Sequence, residues 1–449
     1  MTDSHDPAAR HAPAAVTGPA PRSGAEPAAP PAPAPSSVSR RRLLGTVGVS
    51  AAVAGAALGA GGAVLATGHR AEAAEPATVP FHGARQAGIA TPAQDRLCFA
   101  SFDVAATTDR AALAALLRTW TAAAEAMTRG AGVPGHPGDL QSPPDDTGEA
   151  AGLTPGRLTI TVGYGPSLFD DRFGLKGRRP SALKPLPYLP REDLDATASD
   201  GDLCVQACSD DPQVAFHAVR NLRRLAFGVL NPRWMELGFG RTSSTSPSQA
   251  TPRNLMGFKD GTRNIDTTDA ALMDQHVWIG AEEPQRWIRG GSYLVSRKIR
   301  MLLEAWDRDS LGDQQQVFGR DKSSGAPLTG RAERDTPDFT AKADGTYVIA
   351  ADAHIRLAAH ENNKGLRILR RGYSYTDGID PVTGDLLGGL FFIAYMKDPG
   401  QFVTLQRVLG QHDKLNEYIE HVSGGLFATP PGLAAGQDWA SQLFGSRTV

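Results

Sequence analysis

The chain has 449 residues, of which 41% are hydrophobic and 21% charged, and its formal net charge at pH 7 is −2. This length accommodates two core-forming units or one large one, and the composition is ordinary for a soluble globular protein. No basic run occurs beyond residue 73, which argues against nucleic acid as a partner.

The N-terminal segment, residues 1–73, has the pattern of a disordered leader followed by an export signal. Residues 1–38 are rich in Ala and Pro and lack apolar periodicity. The sequence SRRRLL at residues 39–44 opens an apolar run that ends near residue 66, and the small-residue site AEA follows at residues 71–73. This order predicts a twin-arginine signal peptide with cleavage near residue 73. We therefore expect a secreted or extracytoplasmic protein, with the twin-arginine export machinery as a partner.

The apolar run at residues 43–66 permits a second interpretation, an uncleaved membrane anchor. The run is long enough to span a bilayer, although its many Gly and Ala residues make it weakly hydrophobic. We expect contact with a membrane only through this segment, and only if it is not cleaved.

The globular part alternates predicted strands with predicted helices. Residues 97–104 alternate apolar and polar side chains, which predicts a strand, and residues 109–127 follow with helical periodicity. A Gly/Pro/Asp-rich loop spans residues 131–156, and a second strand is predicted at residues 158–164. Residues 202–227 then predict a strand, an Asp-Pro helix start and a helix.

The last of these units recurs later in the chain. Aligning Pro212 with Pro399 places LCVQACSDDPQVAFHAVRNL beside LFFIAYMKDPGQFVTLQRVL, so that each copy predicts a strand, an Asp-Pro turn and an amphipathic helix. Residues 97–104 similarly resemble residues 292–299, which are followed by a predicted helix around residues 301–307. The two sets predict an internally duplicated α+β domain.

The chain contains three cysteines, Cys98, Cys204 and Cys208. An odd and sparse set argues against a disulfide scaffold and against a zinc cluster. Cys204 and Cys208 lie in an apolar run that predicts a buried strand. We interpret the cysteines as core residues, with a structural Cys–Cys pair as the alternative.

The stretch NLMGFKDGTRNI, residues 254–265, places one acid between two glycines. Gly257 and Gly261 allow positive φ and the close approach of another surface. The backbone can therefore lie against a flat ligand while Asp260 projects over it. An ordinary Asp-Gly turn would have the same sequence.

A second stretch, residues 352–375, supplies His354, Arg356 and the adjacent pair Arg370 and Arg371. A glycine-flanked acid followed by this histidine and this arginine resembles the dye-decolorizing peroxidase family, whose members bind heme b. The segments FKDGT and AHIR…LRRGYSY carry the resemblance, and SYLVSRKIRM and DPVTGDLLGGLFFIAY support it.

The resemblance extends over about residues 90–440 and implies an α+β fold. Two duplicated ferredoxin-like halves would place their antiparallel sheets face to face, with peripheral helices. The N-terminal half is expected at residues 90–255, and the C-terminal half, which binds one heme b per chain, at residues 256–440. No Cys-x-x-Cys-His motif occurs, which argues against covalent attachment of the heme.

The family pattern H-[IV]-R contains the proximal ligand of the heme iron, which is His354 in this chain. An imidazole ligand gains electron density when its second nitrogen donates a hydrogen bond to a carboxylate, and the resemblance assigns that carboxylate to Asp413. A helix N-cap is the alternative role for Asp413. Among the other histidines, His276, beside an aromatic residue, is the strongest rival ligand.

The resemblance also assigns two residues to the peroxide side of the heme. Asp260 would deprotonate bound hydrogen peroxide, and Arg370 would bind peroxide and stabilise a ferryl intermediate. Arg371 should point the other way if its segment is a strand, and should make a structural contact.

Further cofactor contacts are expected near these residues. Gly261, Thr262 and Arg263 would lie along the porphyrin, and Arg356 would suit a heme propionate. The family usually has Asn-Pro-Arg after HIRLA, whereas this chain has Ala-His-Glu at residues 359–361. This departure puts the heme-edge contacts at that position in question.

Together these assignments predict a heme peroxidase that reduces hydrogen peroxide and oxidises organic electron donors such as dyes and phenols. Bulky donors would react through Trp or Tyr radicals at the surface. Two alternatives share the same motifs: a deferrochelatase-like protein that releases iron from heme, and a heme-binding module without enzymatic activity. A homo-oligomer is compatible with the sequence, which does not specify the natural donor.

Overall fold

The described part of the chain comprises residues 78–135, 140–246 and 249–445 of a computed structural model. Every described residue belongs to one compact unit, Ala73–Val449. The predicted leader and export signal lie outside the described residues. Within the described ranges, no helix has both the length and the apolar character needed to cross a membrane.

Strands and helices alternate along this unit. The strands are β1 (Arg96–Val104), β2 (Thr159–Tyr164), β3 (Leu203–Ser209), β4 (Leu230–Arg241), β5 (Ser292–Met301), β6 (Lys342–Ala343), β7 (Thr346–Tyr347), β8 (Leu369–Arg370), β9 (Tyr373–Ile379), β10 (Leu386–Met396) and β11 (Ile419–Thr429). The helices are α1 (Arg110–Thr128), α2 (Pro212–Leu225), α3 (Ala270–His276), α4 (Leu303–Arg308), α5 (Leu311–Phe318), α6 (His354–Ala358), α7 (Gly400–His412) and α8 (Trp439–Phe444).

The two halves have the same strand order, which confirms the predicted duplication. The N-terminal sheet runs β2-β3-β1-β4 and the C-terminal sheet, read from the corresponding edge, runs β9-β10-β5-β11, and all the pairings are antiparallel. β1 therefore corresponds to β5, and the β3–α2 unit corresponds to β10–α7. Asp211 caps α2 by accepting a hydrogen bond from the backbone of Gln213, with Pro212 as the first helical residue, as the Asp-Pro pattern predicted. The chain has the expected ferredoxin-like halves.

The facing sheets are also joined at their edges. β4 pairs with β9 at Phe239 and Ser374, and β11 pairs with β2 at Ala428 and Tyr164. Eight strands consequently form a closed ring, and β8 adds to β10 beside it. The sequence did not indicate this closure, because the joining pairs are few and lie at strand ends.

The enclosed space between the sheets is an apolar core. The ring of Phe99, which is fully buried, stacks on Trp234 at 5.2 Å between centroids and lies 5.3 Å from the ring of Phe391 in the other half. Cys204 and Cys208 belong to this core, and Cys98 belongs to the core beneath α1 and α2. All three cysteines are free and buried, which confirms their interpretation as core residues.

The outer faces of the two sheets differ. Helices α1 and α2 cover the N-terminal sheet with side chains such as Leu117 and Trp120. On the C-terminal sheet, the cover consists of α4 to α7 and the glycine-flanked loop, which meet around Phe258, Trp306 and Phe318. This looser cover leaves a large cavity against the sheet.

Candidate active site

The cavity on the C-terminal sheet has a volume of about 250 Å³. A buried water needs only ~10–15 Å³, so the cavity is suited to a much larger ligand. Its walls are mostly apolar and come from the sheet and from α7, with side chains that include Ile299, Leu390, Phe392, Phe402 and Leu405. The lining also contains charged side chains, which are described in turn below.

His354 is the first residue of α6 and lines the cavity. Its Nδ1 lies 2.6 Å from Oδ2 of Asp413, which is buried at the end of α7. The other oxygen of Asp413 accepts a hydrogen bond of 2.9 Å from the backbone of Leu415 and so caps a short helical turn. The two roles considered for Asp413 are therefore not alternatives, because each oxygen performs one of them.

The environment of His354 favours positive charge on the ring. Burial lowers its pKa, but the charge of Asp413, the hydrogen bond to that residue and the charge of Asp260 outweigh this effect, so the net pKa is raised. Because Nδ1 is engaged by Asp413, Nε2 is the nitrogen available to a metal ion.

Asp260 and Arg370 meet in the same cavity. Arg370 donates a hydrogen bond of 2.8 Å from Nη1 to Oδ1 of Asp260, and Asn254 donates one of 3.3 Å from Nδ2 to Oδ2. Both carboxylate oxygens of Asp260 are therefore held in position. Since 18% of the Asp260 side chain and 29% of the Arg370 side chain remain exposed, the pair is accessible to a small ligand in the cavity.

Asn264 connects the glycine-flanked loop to β8 and was missed by sequence reasoning. Its side chain accepts a hydrogen bond of 2.9 Å from the backbone N–H of Arg370 and donates one of 2.8 Å to the carbonyl of Arg370. Its own N–H donates to the carbonyl of Gly261. A sequence signal existed, since Asn264 is part of the DGTRN segment, but its partner is 106 positions away.

The two glycines of the loop have positive φ, 83° for Gly257 and 90° for Gly261. A Cβ at Gly261 would lie 2.9 Å from Cα of Ser243, and one at Gly257 would lie 2.8 Å from Cε of Lys322. The glycines therefore permit close packing against other parts of the protein. Gly261 also lines the cavity, and its expected position along a flat ligand remains a prediction.

Thr262 and Arg263 line the cavity beside Asp260. Arg263 donates hydrogen bonds of 2.6 and 3.2 Å to the two carboxylate oxygens of Glu361, and its Nη2 lies 3.1 Å from Nε2 of His360. Because a guanidinium can only donate, Nε2 of His360 is the acceptor. Burial and the charge of Arg367 lower the pKa of His360. At residues 359–361, where this chain departs from the family pattern, His360 and Glu361 therefore both contact Arg263 at the cavity wall.

The structure does not bring Arg356 to the cavity. Its Nε donates a hydrogen bond of 2.9 Å to the carbonyl of Ala350, and its guanidinium lies 4.6 Å from the ring centroid of Tyr347. The expected contact with a heme propionate is absent from this geometry, because α6 turns the side chain away from the cavity. Two other arginines, Arg320 and Arg367, line the cavity with Arg263.

Arg320 is the most buried of these cations, with 5% of its surface exposed. Burial, followed by the charge of Arg263, lowers its pKa to about 10, so it remains charged at neutral pH. A desolvated guanidinium at the wall of an apolar cavity favours an anionic group nearby.

Two further expectations concern residues outside the cavity. Arg371 is fully buried and points away from Arg370, donating hydrogen bonds to the carbonyl of Thr91 and to Oε1 of Gln94. It makes the structural contact that strand alternation predicted. His276 ends α3 and does not line the cavity.

The residues present fit an iron porphyrin. Apolar walls suit the macrocycle, His354 offers one strong nitrogen ligand held by a carboxylate, and arginines suit the propionates. A peroxidase additionally needs a proton acceptor and a fixed cation within reach of bound peroxide, and the contact between Asp260 and Arg370 brings a carboxylate and a guanidinium together in this cavity. The fold and the site together define a heme peroxidase.

Comparison with known proteins gives the family. Models of the Dyp-type peroxidase N-terminal and C-terminal domains match residues 86–240 and 251–434. Proteins named deferrochelatase from Escherichia coli strain K12 and from Shigella sonnei are each 39% identical over 417 residues, covering 89% of this chain and 95% of the relative. The chain belongs to the Dyp-type peroxidase family.

Solved structures agree with this assignment. A DyP-type peroxidase from Streptomyces coelicolor has a TM-score of 0.76, and DtpA from Streptomyces lividans has one of 0.75; each is 39% identical and covers 82% of this chain and 97% of its own. A DyP-type peroxidase from Cellulomonas bogoriensis has a TM-score of 0.73 at the same identity. The half boundaries at residues 255 and 256 remain a prediction.

We predict that His354→Ala removes the Soret band of the protein after reconstitution with hemin, because the cavity then lacks its anchored imidazole. His276→Ala is the matched control and should bind hemin as the unaltered chain does, since His276 lies outside the cavity. Absorption titration with hemin measures both. A full Soret band in His354→Ala would transfer the ligand role to another histidine, His360 or His421, which also line the cavity.

Proposed function

We propose that this peroxidase binds one heme b per chain at His354 and uses Asp260 and Arg370 to reduce hydrogen peroxide at the expense of organic donors such as dyes and phenols. The observation that carries the proposal is the 2.8 Å contact between Arg370 and Asp260 in the cavity that also contains the Asp413-bound His354. Heme bound there would supply the iron that accepts peroxide oxygen and passes two electrons to it.

The Asp260 carboxylate takes a proton from one oxygen of hydrogen peroxide and returns it to the departing oxygen, which leaves as water. Two electrons from the donor and two protons complete the reduction of hydrogen peroxide to two molecules of water. The Arg370 guanidinium binds the peroxide oxygens and neutralises the charge that develops as the O–O bond breaks. Asn254 holds the second oxygen of Asp260, so the carboxylate has a fixed orientation during both proton transfers.

Asp413 does not contact peroxide in this proposal and acts on the iron ligand His354. Its buried carboxylate accepts the Nδ1 hydrogen bond, which orients the ring and makes the imidazole a stronger electron donor. The capping contact with Leu415 fixes the carboxylate itself. Arg263, Arg320 and Arg367 would face the propionates of the cofactor.

We predict that Asp260→Asn and Arg370→Leu each slow the reaction with hydrogen peroxide by about a hundredfold or more, the usual contribution of a positioned acid–base group or cation. Heme content should not change, because neither residue is the iron ligand. Stopped-flow absorption of the heme-loaded protein after mixing with peroxide measures this rate.

The matched control is Asp103→Asn, which breaks another Asp–Arg pair, at 2.8 Å from Arg233, in the N-terminal half. It should react with peroxide at the rate of the unaltered chain. If Asp260→Asn and Arg370→Leu react as fast as this control, the chain is a heme-binding module without peroxidase chemistry at this site.

A second candidate function is the release of iron from heme, because the curated relatives at 39% identity are named deferrochelatase. The test is to incubate the heme-loaded protein with a ferrous chelator and a reductant, and to measure the chelated iron and the fluorescence of metal-free porphyrin. We predict neither above the level of a protein-free control. Metal-free porphyrin in proportion to the protein would favour the second candidate.

We further propose that the chain is exported by the twin-arginine route, on the support of SRRRLL at residues 39–44 and the small-residue site at residues 71–73. Replacing Arg40, Arg41 and Arg42 together by Lys should retain the full-length protein in the cytoplasm. Cell fractionation and N-terminal sequencing of the unaltered protein test this. An unaltered protein that stays cytoplasmic with residues 1–73 attached would contradict it.

A further inference from the structure

Glu333 lies in the loop between α5 and β6 and contacts the Asp260 loop at two points. Its Oε2 forms an ion pair with Nζ of Lys259, and its Oε1 accepts a hydrogen bond of 3.3 Å from Oγ1 of Thr262. Lys259 precedes Asp260, and Thr262 follows it by two positions. The carboxylate of Glu333 therefore contacts the loop on both sides of Asp260, the residue proposed to transfer the proton of peroxide.

The loop that carries Glu333 is itself fixed from the cavity side. Arg320 donates hydrogen bonds from Nη1 to the carbonyl of Glu333 at 3.1 Å and to the carbonyl of Gly325 at 2.7 Å. A Cβ at Gly325 would lie 2.6 Å from Cδ of Lys259, so the stem of that lysine packs directly on this backbone. Both partners in the ion pair are thus held in place by neighbouring structure.

The carboxylate is also shielded and charged. Only 17% of the Glu333 side chain is exposed, which makes its contacts stronger than those of a surface pair. Burial raises the pKa of Glu333, but the hydrogen bonds with Lys259, Thr251 and Thr262 and the charge of Lys259 outweigh this effect, and the net pKa is lowered. Glu333 is therefore ionised at neutral pH.

We propose that Glu333 is a positioning residue that keeps Asp260 in place opposite Arg370 by clamping Lys259 and Thr262. This inference rests on the proposed role of Asp260 with peroxide. Gly261, with φ of 90°, follows the acid directly and gives the backbone a point of freedom there. The clamp spans that point, so the carboxylate does not drift from its 2.8 Å contact with Arg370.

Three single substitutions distinguish a positioning role of Glu333 from an effect of its charge alone. Glu333→Gln removes a negative charge, Lys259→Met removes a positive charge and Thr262→Val changes no charge, yet each removes part of the clamp. All three should slow the reaction with hydrogen peroxide about tenfold, as loss of a supporting contact does. A through-space charge effect would instead give opposite changes for the first two and none for Thr262→Val.

The reaction with peroxide should be affected selectively. In stopped-flow experiments compared at equal heme content, donor oxidation after the peroxide step should keep its rate, because that step does not depend on Asp260. Hydrogen exchange of the backbone at residues 257–263, measured by mass spectrometry without peroxide, should be faster in each variant. The double variant Lys259→Glu/Glu333→Lys restores an ion pair and should recover most of the lost rate.

The matched control is Glu282→Gln, which removes the acid of another Lys–Glu pair, at 2.8 Å from Lys397, away from the cavity. It should match the unaltered chain in the peroxide rate and in exchange at residues 257–263. If Thr262→Val and Glu333→Gln equal this control while Asp260→Asn is slow, the clamp is refuted and the peroxidase proposal stands. If Asp260→Asn keeps its rate, the proposed function fails, and loop exchange alone still decides whether Glu333 holds the loop.

Discussion

The contact between Asp260 and Arg370 is the constraint on which the described site depends. It joins a loop to a short strand 110 positions later, and it sets the position of one segment relative to the other at the cavity. Asn264 adds two hydrogen bonds between the same segments, from the loop to both backbone groups of Arg370. A charge-assisted contact of this kind has a narrow range of favourable geometries, so it fixes orientation as well as distance.

Asp413 provides the corresponding constraint on His354. Its carboxylate lies where α7 ends and divides its two oxygens between a backbone cap and the imidazole of His354. The position of the histidine is therefore determined by the end of a helix that packs on the sheet, and not by α6 alone, which is one turn long. Asp413 therefore both ends α7 and orients the imidazole that faces the cavity.

Much of this arrangement was predictable from sequence, for identifiable reasons. The duplicated strands and the Asp-Pro helix start were visible because periodicity and turn chemistry are local properties. The identities of Asp260, His354 and Arg370 came from motifs that resemble a family, and the structure brings all three to one cavity.

Other side-chain contacts form between segments that are far apart in the sequence, and sequence patterns did not predict them. Arg356 is two residues from His354, yet a single helical turn points it to the carbonyls of Ile349 and Ala350. The partners of Asn264 and Glu333 lie 106 and 71 to 74 positions away, respectively. The packing of Gly261 and Gly257 against Ser243 and Lys322 was likewise not readable from the sequence.

The closed ring of strands has a consequence for how the chain reaches this structure. β11 is the last strand of the described residues, and it pairs with β5 in its own half and with β2 in the other half. Until residues 419–429 have been synthesised, β5 and β2 both present unpaired backbone groups, and the ring remains open. Pairing between segments so far apart in the sequence is slow to form. Closure of the ring therefore waits for β11, the most C-terminal of its eight strands.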